Sequence, residues 1–325
     1  MGKLKTTLKE KFDYDVAGLP SWTDNTMPNV ITDLIANSEF FGDLTIEEGV
    51  KGTKEIALLN SDVALQEKTG CTPSPDGSVI FTKADLTTKL LYMGIEFCNE
   101  DLNTKMTQVL NTIGVKRQNG QLPADLDQIL QAYLAKLLMR KAQRVTVIGD
   151  TTSLDAELAL IDGLVKRIDN DGDVEVFSSL ETQIDNTNGY DLAVGVYKAI
   201  NSELMDNGMT VNIYTGRVEA LAILEQWNNE NPYSQVPVPT ATGSFTFQLP
   251  LYGITVKSLP ELSGLNKMYA IPTALTFIGT DLESDMTFDI KYDDYDDKLK
   301  AEASFRLGNQ IVWGKYFTRL ELANS

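Results

Sequence analysis

The sequence predicts an α+β fold in which compact units carry long extended limbs. Three observations support this. Leu126, Ile129, Leu130, Tyr133, Leu134, Leu137, Leu138 and Val145 recur at steps of three and four, placing one apolar stripe on a helix from Pro123 to Val145. Residues 54–98 read as long strands around a polar tip, and residues 281–325 return to strand alternation. Between them, residues 190–280 alternate helix and strand.

Composition limits the functions available. The 325 residues include no histidine, which removes Ser-His-Asp and Cys-His catalysis and His-ligated metal sites. Cys71 and Cys98 lack CxxC spacing and are too few for a zinc site, so they read as reduced thiols. A net charge of −18 keeps the bulk surface from coating nucleic acid. No stretch reaches the roughly 18 apolar residues of a membrane span, and MGKLKTTLKEKF is not of signal-peptide type. No P-loop, GxGxxG or GxSxG elbow occurs, and neither a cofactor nor a metal is expected.

Along the chain, Lys3, Lys5, Lys9 and Lys11 face one acid, Glu10, in a short basic terminus. It is either a solvated end or a segment that docks near a partner or nucleic acid. Residues 13–53 are rich in Asp, Asn, Gly, Thr and Pro, with one brief helical pattern at 30–41. So long a weakly patterned segment suits an arm reaching a neighbour. The strands Glu55–Val63 and Val79–Phe97 flank QEKTGCTPSPDGS, whose Pro73, Pro75, Asp76 and Gly77 are turn formers. A hairpin of this length exposes two edges unless something covers it. A short helix is expected from Leu102 to Ile113.

The long helix begins near Pro123, with Asp125 and Asp127 at its positive end and Lys136, Arg140, Lys141 and Arg144 towards its negative end. At about 1.5 Å per residue it spans roughly 33 Å. VTVIGDTT and IDGLVKRI read as a connector after it. IDNDGDVEVF fails the calcium-loop pattern, because Gly172 falls fourth after Asp169 and Leu180 stands where a bidentate Glu belongs. Asp171-Gly172 is read instead as a hairpin turn.

From Tyr190, one helical stripe runs to Leu204 and closes at Asn207-Gly208. Thr210–Tyr214 is a short buried strand, a second helix runs to Trp227, and Ile254–Ser258 and Met268–Ile278 are apolar strands. The Pro- and Asn-rich loop 228–244 suggests a contact role. Met286, Phe288, Ile290 and Tyr292 alternate, as do Leu299 to Leu307, and Ile311–Phe317 closes the set. Eight acids against one base in 281–297 include Asp293, Asp294, Asp296 and Asp297, which read as a solvated turn because no nucleophile lies near them.

This order of parts resembles the tailed-phage major capsid protein with the HK97-like (Johnson) fold shared by phage and herpesvirus shells. The residues that carry the resemblance are the helix into LLMRKAQRVTVIGDTT, the strand IPTALTFIGTD and the closing KAEASFRLGNQIVWGKYF. It covers nearly the whole chain. It implies an N-terminal arm at 1–53 and an extended β-hairpin loop at 54–98. It also implies a peripheral domain at 99–189 and 281–325 with a spine helix at 123–146, and an α/β axial domain at 190–280. The implied function is structural, not enzymatic: assembly in the host cytoplasm of a virion capsid enclosing double-stranded DNA.

Inter-subunit contacts are then expected at Phe12, Trp22, Phe40, Phe41, Lys68, Pro73, Asp76, Gly77, Lys83, Pro232, Tyr233 and Pro237. The basic residues Lys3, Lys5, Lys9, Lys11, Lys136, Arg140, Lys141 and Arg144 are expected to face the lumen. Partners are further copies in pentamers and hexamers, a separate scaffolding protein, a portal, decoration proteins and packaged DNA held by non-specific contact, with no membrane. Some members of the family crosslink a Lys to an Asn. Lys68, Lys83 and Asn309 are of suitable type, but no crosslink is predicted. An encapsulin-type shell around protein cargo, and an α/β ligand-binding protein or enzyme with 228–244 as a lid, are the competing expectations.

Overall fold

The computed structural model describes residues 40–63, 77–98, 126–232, 245–281, 287–293 and 298–323. In chain order a 3-10 turn at Phe41–Asp43 precedes β1 (Thr45–Glu47), β2 (Thr53–Val63), β3 (Gly77–Thr87) and β4 (Lys89–Cys98). Then come α1 (Leu126–Ile148), α2 (Leu164–Asn170), β5 (Glu175–Ser178), α3 (Gly189–Ala199), α4 (Ser202–Asp206), β6 (Val211–Thr215) and α5 (Arg217–Glu230). The remaining strands are β7 (Thr246–Gln248), β8 (Thr255–Ser258), β9 (Met268–Pro272), β10 (Thr276–Thr280), β11 (Thr287–Asp293), β12 (Lys298–Ile311) and β13 (Thr318–Glu321). The expected short helix at 102–113 lies outside the described residues.

The chain forms two compact units. The larger comprises Ser38–Lys89, Ala142–Thr280 and Leu307–Ser325. Its main sheet has six strands in the order β5-β13-β9-β6-β8-β7. β6 and β9 are antiparallel and buried along their whole length. A strand covered on both faces needs no polar alternation, so VNIYT and MYAIP read as apolar runs. Helices α3 and α5 pack together and on the sheet, with the Tyr190 and Trp227 rings 4.9 Å apart. A second sheet joins β1, β10 and residues 307–311 of β12. The smaller unit includes residues 90–141 and 281–306. In it, β11 runs antiparallel to residues 298–304 of β12.

Several expectations need correction. The strand read as 79–97 stops at Thr88, so β3 and β4 are separate elements. The long helix continues three residues past Val145 to Ile148. The stripe from 192 to 204 is two helices. Ile200 is extended, and the Asn201 side chain accepts the Glu203 amide at 3.0 Å to begin α4. Asp171-Gly172 does not close a hairpin. Leu164 and Ile168 bury one face of α2, which ends before that turn, and β5 pairs in parallel with β13.

The strand read as 268–278 is divided. Pro272 has no amide to continue a ladder, a 3-10 turn follows, and β10 joins the other sheet. At the closing segment, Trp313 takes a left-handed φ of 57° and a 3-10 turn occupies 314–316. The final strand is therefore Thr318–Glu321. The six-stranded sheet takes 175–178 and 318–321 together with 211–272, so it crosses the boundaries expected at 190 and 280.

Candidate functional site

The β2–β3 hairpin is the candidate site. Its strands pair over eleven rungs, from Thr53 opposite Thr87 to Val63 opposite Gly77, and form a two-stranded sheet of their own. Opposed residues share a face. Ile56, Leu58 and Ala84 lie half-exposed on one face. Thr53, Glu55, Ala57, Lys83, Asp85 and Thr87 are exposed on the other. Lys83 donates to Glu55, and its hydrogen bond to that carboxylate raises the lysine above its ordinary value. Both groups are more than 60% exposed, so the pair adds little to stability. A two-stranded ribbon is marginal alone in water. Its open edges and half-covered apolar face suit a second molecule.

The root of the hairpin is held firmly. Val50 donates its amide to Thr280 at 3.1 Å, and Thr88 donates its amide to Gly52 at 2.8 Å. The Thr88 hydroxyl donates to the Val50 carbonyl at 2.7 Å. Leu86 and Thr88 are both buried. None of these residues stood out in the sequence.

The expected contact residues divide into three groups. Phe40 and Phe41 are corrected: they are 4% and 0% exposed and belong to the core of their own chain. The Phe40 ring meets Phe41 at 5.4 Å and the edge of Tyr214 at 5.8 Å. Next to them, Asp43 accepts hydrogen bonds from the Tyr214 hydroxyl at 2.9 Å and the Lys257 ammonium at 2.5 Å. Burial, followed by the Asp43 charge, pushes the Tyr214 hydroxyl well above the usual phenol range. The segment is thus fastened to β6 by its packed aromatic rings and to β8 by the Asp43–Lys257 pair. The second group, Gly77, Lys83 and Pro232, is described: Gly77 opens β3, and Lys83 and Pro232 are exposed. The third group, Phe12, Trp22, Lys68, Pro73, Asp76, Tyr233 and Pro237, lies outside the described residues, as do Lys3, Lys5, Lys9 and Lys11.

Along α1, Lys136 and Arg140 are exposed while Lys141 and Arg144 are half-buried. Arg144 lies 3.5 Å from both Asp155 and Glu157, so its charge is largely balanced within the chain. Asn309 is buried, and its amide donates to the Thr146 carbonyl at 3.1 Å, which removes it from reach of any lysine of another molecule.

Two polar clusters brace the larger unit. Asp169 on α2 accepts the Tyr269 hydroxyl at 3.0 Å and the Lys267 ammonium at 2.5 Å, and Arg319 lies 3.6 Å away. Burial and then the Asp169 charge raise the Tyr269 hydroxyl far above its ordinary value. Lys166 bridges Asp150 and Asp162, each at 2.7 Å. Hydrogen bonds from Lys166 and then Thr152 lower the Asp150 carboxyl to about 2. Burial pushes Asp162 up, but hydrogen bonds from Lys166 and Thr151 outweigh it and bring that carboxyl to about 2 as well. Opposite charges pair within each cluster, although the Arg319 Nε is buried with no hydrogen-bond partner among the described residues. Among the described residues no group of three or more His, Cys, Asp or Glu could hold a metal. In the acidic stretch, Asp281 is buried and accepts the Arg306 amide at 2.8 Å, while 294–297 lie outside the described residues.

This arrangement of a paired hairpin, a long helix and two mixed sheets is that of phage capsid structures. A satellite phage P4 procapsid structure that includes the size determination (Sid) protein aligns over 90% of this chain and 98% of its own, with a TM-score of 0.58 at 9% identity. The capsid of a native GTA particle aligns over 87% of this chain and 89% of its own, with a TM-score of 0.56 at 11% identity. The chain has the HK97-like capsid fold. A Microbacterium phage Oxtober96 structure aligns over 88% of this chain and 91% of its own at 14% identity and a TM-score of 0.52, extending the capsid-fold likeness to a further phage. No protein-family model matches the sequence, and no curated protein matches it. The likeness therefore rests on backbone geometry, in agreement with the resemblance seen in the order of sequence elements.

Proposed function

We propose that this chain is a structural, non-enzymatic protein: the major capsid protein of a tailed phage, assembling with copies of itself into an icosahedral shell around double-stranded DNA. The observation that carries this reading is the β2–β3 hairpin, a ribbon with no partner strand among the described residues, in a chain of capsid fold. Its unfilled edges and its half-exposed Ile56, Leu58 and Ala84 are satisfied when another copy covers them. Many copies of a modest contact then give a stable closed shell.

In this reading residues 1–53 include an arm whose last part is fastened to its own subunit by Phe40, Phe41 and Asp43. Residues 54–98 include the extended loop, 99–189 and 281–325 supply most of the peripheral domain, and 190–280, joined in its sheet by 175–178 and 318–321, supply the axial domain of pentamers and hexamers. The exposed Lys136 and Arg140 face packaged DNA or a scaffolding protein. Portal and decoration proteins complete the particle, which assembles in the host cytoplasm. The test is expression of the full chain followed by size-exclusion chromatography and negative-stain microscopy. Closed shells or capsomers are the expected result. A discrete monomer or dimer whose melting shifts with a small ligand would overturn the reading.

A further inference from the structure

We propose that Gly279, Gly308 and Thr88 form a fixed seat for the root of the β2–β3 hairpin, so that the hairpin changes direction by bending along its ribbon and not by swinging at its root. Gly279 and Gly308 are register partners on β10 and β12, so two glycines face each other across one rung. The chain at Leu86–Thr88 lies directly over that rung. A Cβ at Gly308 would stand 2.2 Å from the Thr87 carbonyl oxygen and 2.9 Å from its carbon, both backbone atoms that cannot rotate away. A Cβ at Gly279 would stand 2.6 Å from the Thr88 methyl and 3.1 Å from a Leu86 methyl. The paired absence of side chains is therefore what lets the hairpin root lie against the sheet.

Hydrogen bonds lock the root in that place. The Thr88 amide and hydroxyl bind the Gly52 and Val50 carbonyls, and the Val50 amide binds Thr280 next to Gly279. Gly52 holds a φ of 101°, a conformation side-chain-bearing residues avoid, at the point where the chain turns from the seat into β2. Immediately beyond Thr88, the Lys89 ammonium donates to the Leu160 carbonyl at 3.0 Å. Every one of these groups lies in the larger unit. Past the root the environment changes within two rungs. Leu86 is fully buried, whereas Asp85, Lys83, Thr82, Glu55 and Ala57 are exposed. The ladder there is open to water on one face and both edges, so deformation costs least in that part.

In the capsid reading, on which its role in assembly rests, the seat fixes where the hairpin leaves the subunit and leaves the ribbon to adapt to unequal neighbours. The seat itself is testable on the unassembled full chain by hydrogen–deuterium exchange. The amides of Val50 and Thr88 are expected to exchange at least about tenfold more slowly than the hydrogen-bonded ladder amides among 55–58 and 82–85. Equal rates would overturn the proposal, whether or not the chain forms shells. Gly308→Ala is expected to raise Val50 and Thr88 exchange at least about tenfold and to turn regular shells into irregular or open particles. Wild-type exchange and regular shells in that variant would also overturn it. Should Gly308→Ala fail to fold, Thr88→Val removes the hydroxyl donor at nearly constant volume, and faster exchange at Val50 and Thr88 is again required. A wild-type chain that shows the exchange gradient but never forms particles would leave the seat standing and defeat the capsid reading instead.

Discussion

The six-stranded sheet and the β2–β3 hairpin are both regular ladders, yet they differ in what completes them. In β6 every residue of VNIYT is buried, its backbone is paired on both sides by β9 and β8, and α5 packs nearby on β8. In the hairpin the register is as regular, but each strand has one partner among the described residues, and Glu55, Ala57, Lys83 and Asp85 remain in water. A regular ladder is therefore not evidence of a self-sufficient element. Burial on the faces separates a strand that stabilises its own subunit from one left for a neighbour.

Substitution in the two regions should break or sharpen that contrast. Ile213→Ala in β6 empties a fully buried site and is expected to lower unfolding free energy by about 3 kcal/mol in urea titration. A loss of under about 1 kcal/mol would mean that the sheet is not the main source of subunit stability. Tyr269→Phe removes the hydroxyl held by Asp169 and is expected to cost about 1 kcal/mol by the same measurement. Leu58→Asp on the hairpin should change the unfolding free energy of the free chain by no more than about 0.5 kcal/mol while removing assembled particles from sedimentation profiles. A destabilisation like that of Ile213→Ala would place the hairpin in the subunit's own core.

The smallest effect is expected at the exposed turn around Lys166, where the folded Asp150 and Asp162 carboxyls lie near 2 against an ordinary value of 3.8. Folding lowers both, so their contribution is complete above 3.8 and is lost as pH falls from there towards 2. Amide exchange at Thr151 and Thr152 should therefore quicken over that interval, after correction for intrinsic rates, while amides of β6 and β9 do not respond. Unchanged protection of the turn at pH 2 would show that Lys166 does not organise it.

Much of the fold was legible because periodic burial leaves a periodic sequence. The stripe from Leu126 to Val145 gave α1, the run at 210–214 gave β6 to within one residue at each end, and the alternation at 299–307 gave β12. Errors fell where a local breaker divides one apolar run between two environments. Pro272 separates β9 from β10, Asn201 separates α3 from α4, and Thr88 separates β3 from β4. Phe40 and Phe41 were placed on a contact surface because sequence shows that an aromatic pair needs cover without showing whose. Asn309 is of a type that can crosslink, which says nothing of its access, and folding buries it against Thr146.

The sequence by itself determined the order of elements, the acidic surface, the absence of histidine chemistry and a hairpin too long and polar-tipped to stand alone. Each depends on residue type and on spacings of two or three to four, which the chain carries before it folds. Only the tertiary structure decided that Asp43 meets Lys257, that Asp169 meets Tyr269 and that two glycines 29 positions apart face each other beneath Thr88. Those facts depend on which distant segments share a site, and close packing fixes that only when the whole chain is in place.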